Sequence, residues 1–539
     1  MKFYDLVKLA AVFLFSSLLS CGGGGGSDPA PVASCTLGTG ANLTVSGAIK
    51  FERVPLQANG GLDFAKTTEK PARAIQVEAV CNSVIATAST DDNGLYSLTI
   101  PSGTQGVFIR AKAQMIKTGI PAWDVEIKDA SSSLVFALDS LPFNLDVVDL
   151  TKNLLAAAGD DGAGYTVDAV RAAAPFAILD TIYKSMQFVM TVQPNAIFPA
   201  LDVLWSANNE DGSFYTNNQI TVLGSTTDTD EFDEHVIAHE WGHYFQDAFS
   251  RDNSVGGSHA GGDILDVRVA FSEGFGNAFS AMVLDDSIYK DSQDTTSGFT
   301  IDVESNNCFN RGWYSECSVQ SILYDFFDVN NDDIFSLGFD EIHEVMTSNM
   351  PLSNALTSLF SFINPFKNLT SIIPGDVDAL LAVQSIDSIS DDYATGVSDG
   401  EYVTSTTDVL PIYDVRAFPL ADVCSTGDNI SYDNVYGLGV SRFIRFTVPL
   451  SGNYRFTATS TSGLSSSDPD MYLYKNGTLV GAGDSTDIKS ETFSTSLIAG
   501  NEYILEVLEY TYVNVNVPYD RSAAGAINET CFTVNREAI

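Results

Sequence analysis

The chain has 539 residues, 45% of them hydrophobic and 11% aromatic, which is too apolar for disorder and too long for one core, so about three domains are expected. Its 27 basic residues stand against 69 acidic ones, and a net charge of −42 repels phosphate backbones and anionic lipid surfaces. Nucleic acid is therefore not an expected partner, and a salty exterior that screens self-repulsion suits the chain.

The first residues, "MKFYDLVKLAAVFLFSSLLSC", combine a lysine-bearing start, an apolar run from Leu6 to Leu19 and the small Ser20 just before Cys21. That run is too short to span a bilayer as a helix, and no other segment is apolar enough to cross one. "LLSC" resembles a bacterial lipobox, which implies removal of residues 1–20 and acylation of Cys21; an ordinary secretory signal with a chance cysteine is the alternative. Residues 21–34, "CGGGGGSDPAPVAS", hold no core-forming residue and read as a tether. Gly22 is not the aspartate that resembles an inner-membrane retention signal. The expectation is an outer-membrane lipoprotein, facing the periplasm or the cell surface and attached only through its lipid.

Residues 35–145 read as a β-sandwich. "LTVSGAIKF", "AIQVEAV", "LYSLTI" and "VFIRAKA" alternate with period two, and "DDNG" at Asp91–Gly94 supplies a turn. Their order resembles carboxypeptidase-regulatory-like domains, which implies a transthyretin-like fold with an accessory role.

In residues 146–400 the period changes. "YTVDAVRAAAPFAILDTIYKSMQFVM", "EFDEHVIAHEWGHYFQDAF", "DVRVAFSEGFGNAFSAMV" and "SVQSILYDFF" place apolar residues at helical spacing, and one strand, "QITVLG" at Gln219–Gly224, precedes the second helix. A mostly helical α+β domain is expected there. As an edge strand, "QITVLG" could hold an extended peptide by strand addition.

That second helix carries His239, Glu240 and His243 as H-E-x-x-H. Residues four apart share a helix face, so the two imidazoles can converge on one ion, while Glu240, one residue round, can face a water without ligating the metal. "STTDTDEF" offers capping side chains before it. A catalytic zinc takes three protein ligands and keeps one position open. "YFQDAF" after His243 rules out the metzincin solution. Downstream, "AFSEGFGNAFS" resembles the gluzincins, the thermolysin- and fungalysin-like metallopeptidases. That resemblance implies a zincin-like fold, Glu273 as third ligand and Asn277 as the group that orients a zinc-binding imidazole. His259, in the glycine-rich loop "GGSHAGGD", competes for the third position, and His235 shares the helix face two turns from His243. Tyr324 and His343 are the candidate donors to a developing oxyanion.

Residues 401–539 return to alternation in "RFIRFTVPLSGNYRFTATS", "DMYLYKNGTLVGAGD" and "LIAGNEYILEVLEY". This second sandwich resembles the pre-peptidase C-terminal domain of secreted peptidases. With Cys21 assigned to lipid, six of seven cysteines remain and allow fifteen pairings. The sequential set Cys35–Cys81, Cys308–Cys317 and Cys424–Cys531 keeps each pair within one expected domain and fits an oxidising compartment. "DVNNDD" at Asp328–Asp333 resembles the start of a calcium loop, so Ca2+ is a second candidate ion, but Asp333 stands where that loop needs glycine and Phe339 where it needs an acid.

Together these features predict a zinc-dependent endopeptidase, a mostly helical α+β zincin-like domain flanked by two β-sandwiches. Its substrate would be a peptide or protein, its cofactor Zn2+, its base Glu240 and its state monomeric. A surface-binding lipoprotein with a structural or inactive zincin domain is the alternative.

Overall fold

The computed structural model describes residues 34–539 apart from 166–169, 294–295, 329–334, 398–400, 402–409, 429–435 and 515–527. The signal segment, Cys21, the tether through residue 33 and all but the first residue of the Asp328–Asp333 stretch lie outside the described residues. The chain forms several β-sheets in a multidomain arrangement. Among the described residues no helix is long and apolar enough to cross a membrane.

Period-two alternation becomes sheet where one face meets a core. Ile75–Cys81 buries Ile75, Val77, Ala79 and Cys81 and leaves the residues between them half-buried. It belongs to a nine-stranded sheet whose main path runs Phe214–Thr216, Gln219–Val222, Leu201–Trp205, Trp123–Asp129, Thr104–Lys117, Ile75–Cys81, Ser83–Ser89. The sheet therefore passes through the boundary expected at residue 146. Leu201–Trp205 pairs in parallel with Trp123–Asp129, Val203 opposite Ile127. Parallel neighbours need a crossover, and helix α1, Ala174–Val192, lies within this one. One apolar core accordingly runs from Cys35 to Ile504.

Gln219–Val222 is not an edge strand. It pairs with Phe214–Thr216 on one side and Leu201–Trp205 on the other, so its backbone groups are already used, and the short Phe214–Thr216 takes the outer place in the sheet.

Helix α2 (Glu234–Phe249) packs on this sheet, α3 (Val267–Leu284) on α2 and α4 (Glu316–Phe327) on α3. Aromatic rings fill the α2–α3 seam: Trp241 stacks on Phe279 at 5.5 Å and Phe245 on Phe275 at 6.1 Å. The expectation of a mostly helical domain is met only in part, because strands Leu201–Trp205, Phe214–Thr216, Gln219–Val222 and the hairpin Ile288–Ser292/Gly298–Asp302 share the region with long loops. The expected side-chain cap on α2 is also not made. Asp233 stands at the N-cap, but its Oδ2 accepts the Ser292 N–H and hydroxyl instead.

The described strands between residues 413 and 538 form a five-stranded and a four-stranded sheet around a second core of Leu420, Ile444, Phe456, Leu473, Phe532 and others. The buried Arg268 of α3 joins this unit to the helices through Asp266, Ser441 and Glu506. Three disulfides close Cys35–Cys81, Cys308–Cys317 and Cys424–Cys531, the sequential pairing.

Candidate metal centre

One turn of α2 sets His239 and His243 on the same face, and α3 brings Glu273 against them. His239 Nε2 lies 3.0 Å from His243 Nε2 and 3.1 Å from Glu273 Oε2, and His243 Nε2 lies 3.4 Å from the same oxygen. The approach depends on a side-chain-free position: a Cβ on Gly276 would stand 2.8 Å from the His239 ring. On the far flank of α3, a Cβ on Gly274 would meet the Val319 side chain of α4 at 2.6 Å, so the two glycines of "EGFGN" seat α3 between its neighbours.

The outer nitrogens are held by oxygens. Asn277 Oδ1 accepts the Nδ1–H of His239 at 2.9 Å while its amide donates to Gln320 Oε1 at 2.9 Å. His243 Nδ1 donates to Gln246 Oε1 at 3.2 Å and lies 3.1 Å from the Ser272 hydroxyl. Both rings thus turn an Nε2 lone pair inward. Two lone pairs and a carboxylate at such separations repel unless a positive charge lies among them. On a tetrahedral zinc with bonds near 2.1 Å, neighbouring donors would be roughly 3.4 Å apart, close to the 3.0–3.4 Å found here. The residues present fit the ion.

The electrostatics agree. Burial alone would raise Glu273, yet the imidazoles of His243, His259 and His239 around it hold it well below the ordinary carboxylate range. Burial opposes protonation of His243, but Glu273 prevails and pushes it up to about 10. A proton is drawn to the place where a divalent cation would put its charge.

The centre opens on a cleft of about 490 Å³ lined by His239, Glu240, His259, Tyr289, Asp291 and Glu316, among others. Glu240 has no hydrogen-bond or ion-pair partner among the described residues, and its carboxylate is left to the cleft. A larger cavity of about 960 Å³ lies beyond the start of α2, touching Arg53, Lys184 and His235 but none of the three candidate ligands.

His259 stands beside Glu273 and outside the group of mutually close donors. Its Nε2 is 3.1 Å from Glu273 Oε2 and its Nδ1 2.6 Å from Glu316 Oε2, yet the mutually close donor set is His239, His243 and Glu273. His235 is removed from the triad, with Nδ1 3.3 Å from the Ser280 hydroxyl and its ring 5.2 Å from that of Tyr289.

The two residues expected as oxyanion donors are not brought to the cleft. His343 Nε2 meets Gln193 Oε1 at 3.0 Å and its ring packs on Phe245, behind α2. Tyr324 packs on Phe327 within α4, its hydroxyl raised by burial and then by Asp328 and Glu304. Tyr289 and His259 line the cleft instead. The sequence reading missed Tyr289, which lies on a five-residue strand with no motif. It also missed Gln246, although an amide three residues after His243 on one helix was a local signal.

Residues 193–370, which hold His239, Glu240, His243 and Glu273, match the family described as the Mycolysin C-terminal domain. No curated protein matches the chain. Among solved structures, the pre-peptidase C-terminal domain of collagenase from Bacillus anthracis is 9% identical over 23% of this chain and 94% of that one, with a TM-score of 0.15. PliG, a periplasmic lysozyme inhibitor of Aeromonas hydrophila, is 12% identical over 24% and 96%, with a TM-score of 0.15. Legionella pneumophila aminopeptidase A in complex with aspartic acid is 12% identical over 76% and 39%, with a TM-score of 0.24. Scores this low carry no argument about the fold. Over the stretch that contains every candidate ligand, the chain is similar to the Mycolysin C-terminal domain family.

Proposed function

We propose that the chain is a zinc-dependent endopeptidase of gluzincin type, held at an outer membrane by a lipid on Cys21, with a zincin-like part built on the sheet that residues 35–145 share with residues 146–400, and with residues 401–539 as its C-terminal part. His239, His243 and Glu273 would hold Zn2+. The observation that carries the reading is Glu240: an acid on the metal helix, lining the cleft beside the triad, with no hydrogen-bond or ion-pair partner among the described residues.

When bound, zinc would supply a Lewis acid and lower the pKa of a water in the open fourth position. The chain's own groups do the rest. Glu240 accepts a proton from the water that attacks the scissile carbonyl and hands it to the departing amine nitrogen. Asn277 and Gln246 keep the imidazoles turned inward. Tyr289 and His259, which line the cleft, would face the carbonyl oxygen as it gains charge. A purely structural zinc site has no use for an unpartnered carboxylate at its open side, which weighs against an inactive surface-binding protein.

The test is a metal analysis and a peptide-digestion profile of the purified protein and its Glu240→Gln form. Both should carry near one zinc, and the variant should lose roughly two or more orders of magnitude in turnover. Equal cleavage by the two would sink the mechanism.

A further inference from the structure

We propose that the cavity of about 960 Å³ at the start of α2 binds an acidic, extended stretch of the protein substrate, apart from the bond that is cut. The substrate role rests on the peptidase reading; the affinity for acidic peptide does not. Six of the chain's 27 basic residues line this one cavity, Arg53, Lys66, Lys70, Arg73, Lys184 and Lys290, against four acidic ones. In a chain of net charge −42 that is a local reversal of sign.

These cations are only partly neutralised. Arg53, at 3.1 Å, and Lys184 share the single carboxylate of Glu234. Arg73 pairs with Asp180 at 2.6 Å and Lys290 with Asp286 at 2.8 Å. Lys66 reaches Asp63 at 2.8 Å, but its side chain is 76% exposed, and an ion pair in water holds weakly. The exposed Lys70 has no ion-pair partner among the described residues. Arg53 is 6% exposed and its Nη1 has no hydrogen-bond partner among the described residues, a costly state that an incoming carboxylate would relieve.

The walls suit a peptide better than a lone anion. Strand Thr68–Pro71, which carries Lys70, pairs with Asn42–Arg53 and with no other strand among the described residues. Thr68, Lys70 and Pro71 line the cavity, so an extended segment can add to this edge. Leu56 and Leu284 offer apolar surface to its side chains.

The placement points to substrate. Strand Ile288–Ser292 divides two spaces: Lys290 lines the cavity, and Tyr289 and Asp291 line the metal cleft. His235, on the cavity, packs its ring 5.2 Å from that of Tyr289. Glu240, Asp291 and Glu316 line the cleft and, among the described residues, no lysine or arginine does, so the cleft repels an acidic stretch that the cavity attracts. A substrate anchored in the cavity is held near the cleft at a raised effective concentration.

The experiment is fluorescence anisotropy of a labelled Glu/Leu peptide with the full chain carrying Glu240→Gln, beside a Gln/Leu peptide of equal length. The acidic peptide should bind roughly tenfold or more tighter, and weaken as salt rises. Lys70→Glu should weaken it by about tenfold, and Lys475→Glu, on the C-terminal sheets and outside the cavity lining, should not. N-methylation of alternate peptide residues should also weaken it, by removing backbone donors that strand addition uses. In the active chain, Lys70→Glu should raise KM for a substrate with a Glu-rich stretch far more than it lowers kcat, and an unchanged KM would overturn the substrate role. Equal binding of the two peptides, of the N-methylated form or by Lys70→Glu, or full displacement by glutarate at the peptide's own concentration, would each overturn the site. Binding needs no hydrolysis, so an active-site-intact chain that cuts nothing would defeat the zinc reading and the substrate role but not the acidic-peptide site.

Discussion

Asn277 and Glu273 lie one helical turn apart on α3, and both reach His239: Glu273 Oε2 faces its Nε2 at 3.1 Å and Asn277 Oδ1 faces its Nδ1 at 2.9 Å. One helix therefore sets both the distance and the tautomer of the ring. Asn277→Ala should lower zinc affinity by about 10- to 100-fold while the fold persists, as read by chelator competition and circular dichroism. Unchanged affinity would remove Asn277 from the centre.

Glu273 and His259 meet at a single oxygen, and loss of each should differ. Glu273→Ala, like His239→Ala or His243→Ala, should lose both metal and hydrolysis. His259→Ala should keep near one zinc per chain and lower kcat, since its Nε2 lies beside the triad and outside the donor set. Zinc retained in Glu273→Ala but lost in His259→Ala would make the loop histidine the third ligand.

Arg268 holds the C-terminal unit to α3 through Glu506 at 2.7 Å, with both side chains buried. Arg268→Met should cost about 3–5 kcal/mol in a denaturant titration, because Glu506 is left buried without its partner. A pH dependence follows. Burial would raise Glu506, but Arg268 holds it below its ordinary 4.5. Its contribution is present above that unfolded value and is lost as pH falls through the folded one, so the parent should lose stability in acid below about 4.5. Arg268→Met should lose that part of the slope.

Cys21 follows "LLS" and opens a glycine run. Cys21→Ser should release the protein from membranes into the soluble fraction on ultracentrifugation. Unlipidated parent chain found wholly in the soluble fraction would refute the anchor.

What the sequence by itself determined was local. His239 and His243 sit four apart, and an α-helix puts such residues on one face whatever surrounds it. Period-two runs such as Ile75–Cys81 similarly announced their strands. Glu273 was reached through a resemblance, since nothing in its own neighbourhood says that α3 lies against α2; the glycine at 276 that permits the approach is legible only once the His239 ring is seen beside it. Tertiary structure alone decided the rest. It moved "QITVLG" from the edge to the interior of a sheet and ran that sheet through the expected boundary at residue 146. It also put Tyr289 and His259, rather than Tyr324 and His343, on the cleft, and diverted Asp233 from its cap to Ser292. Each of these depends on which distant segment becomes a neighbour. Hydrogen-bond ladders and apolar burial are satisfied between segments far apart in the chain, and periodicity within one segment carries no record of its partner.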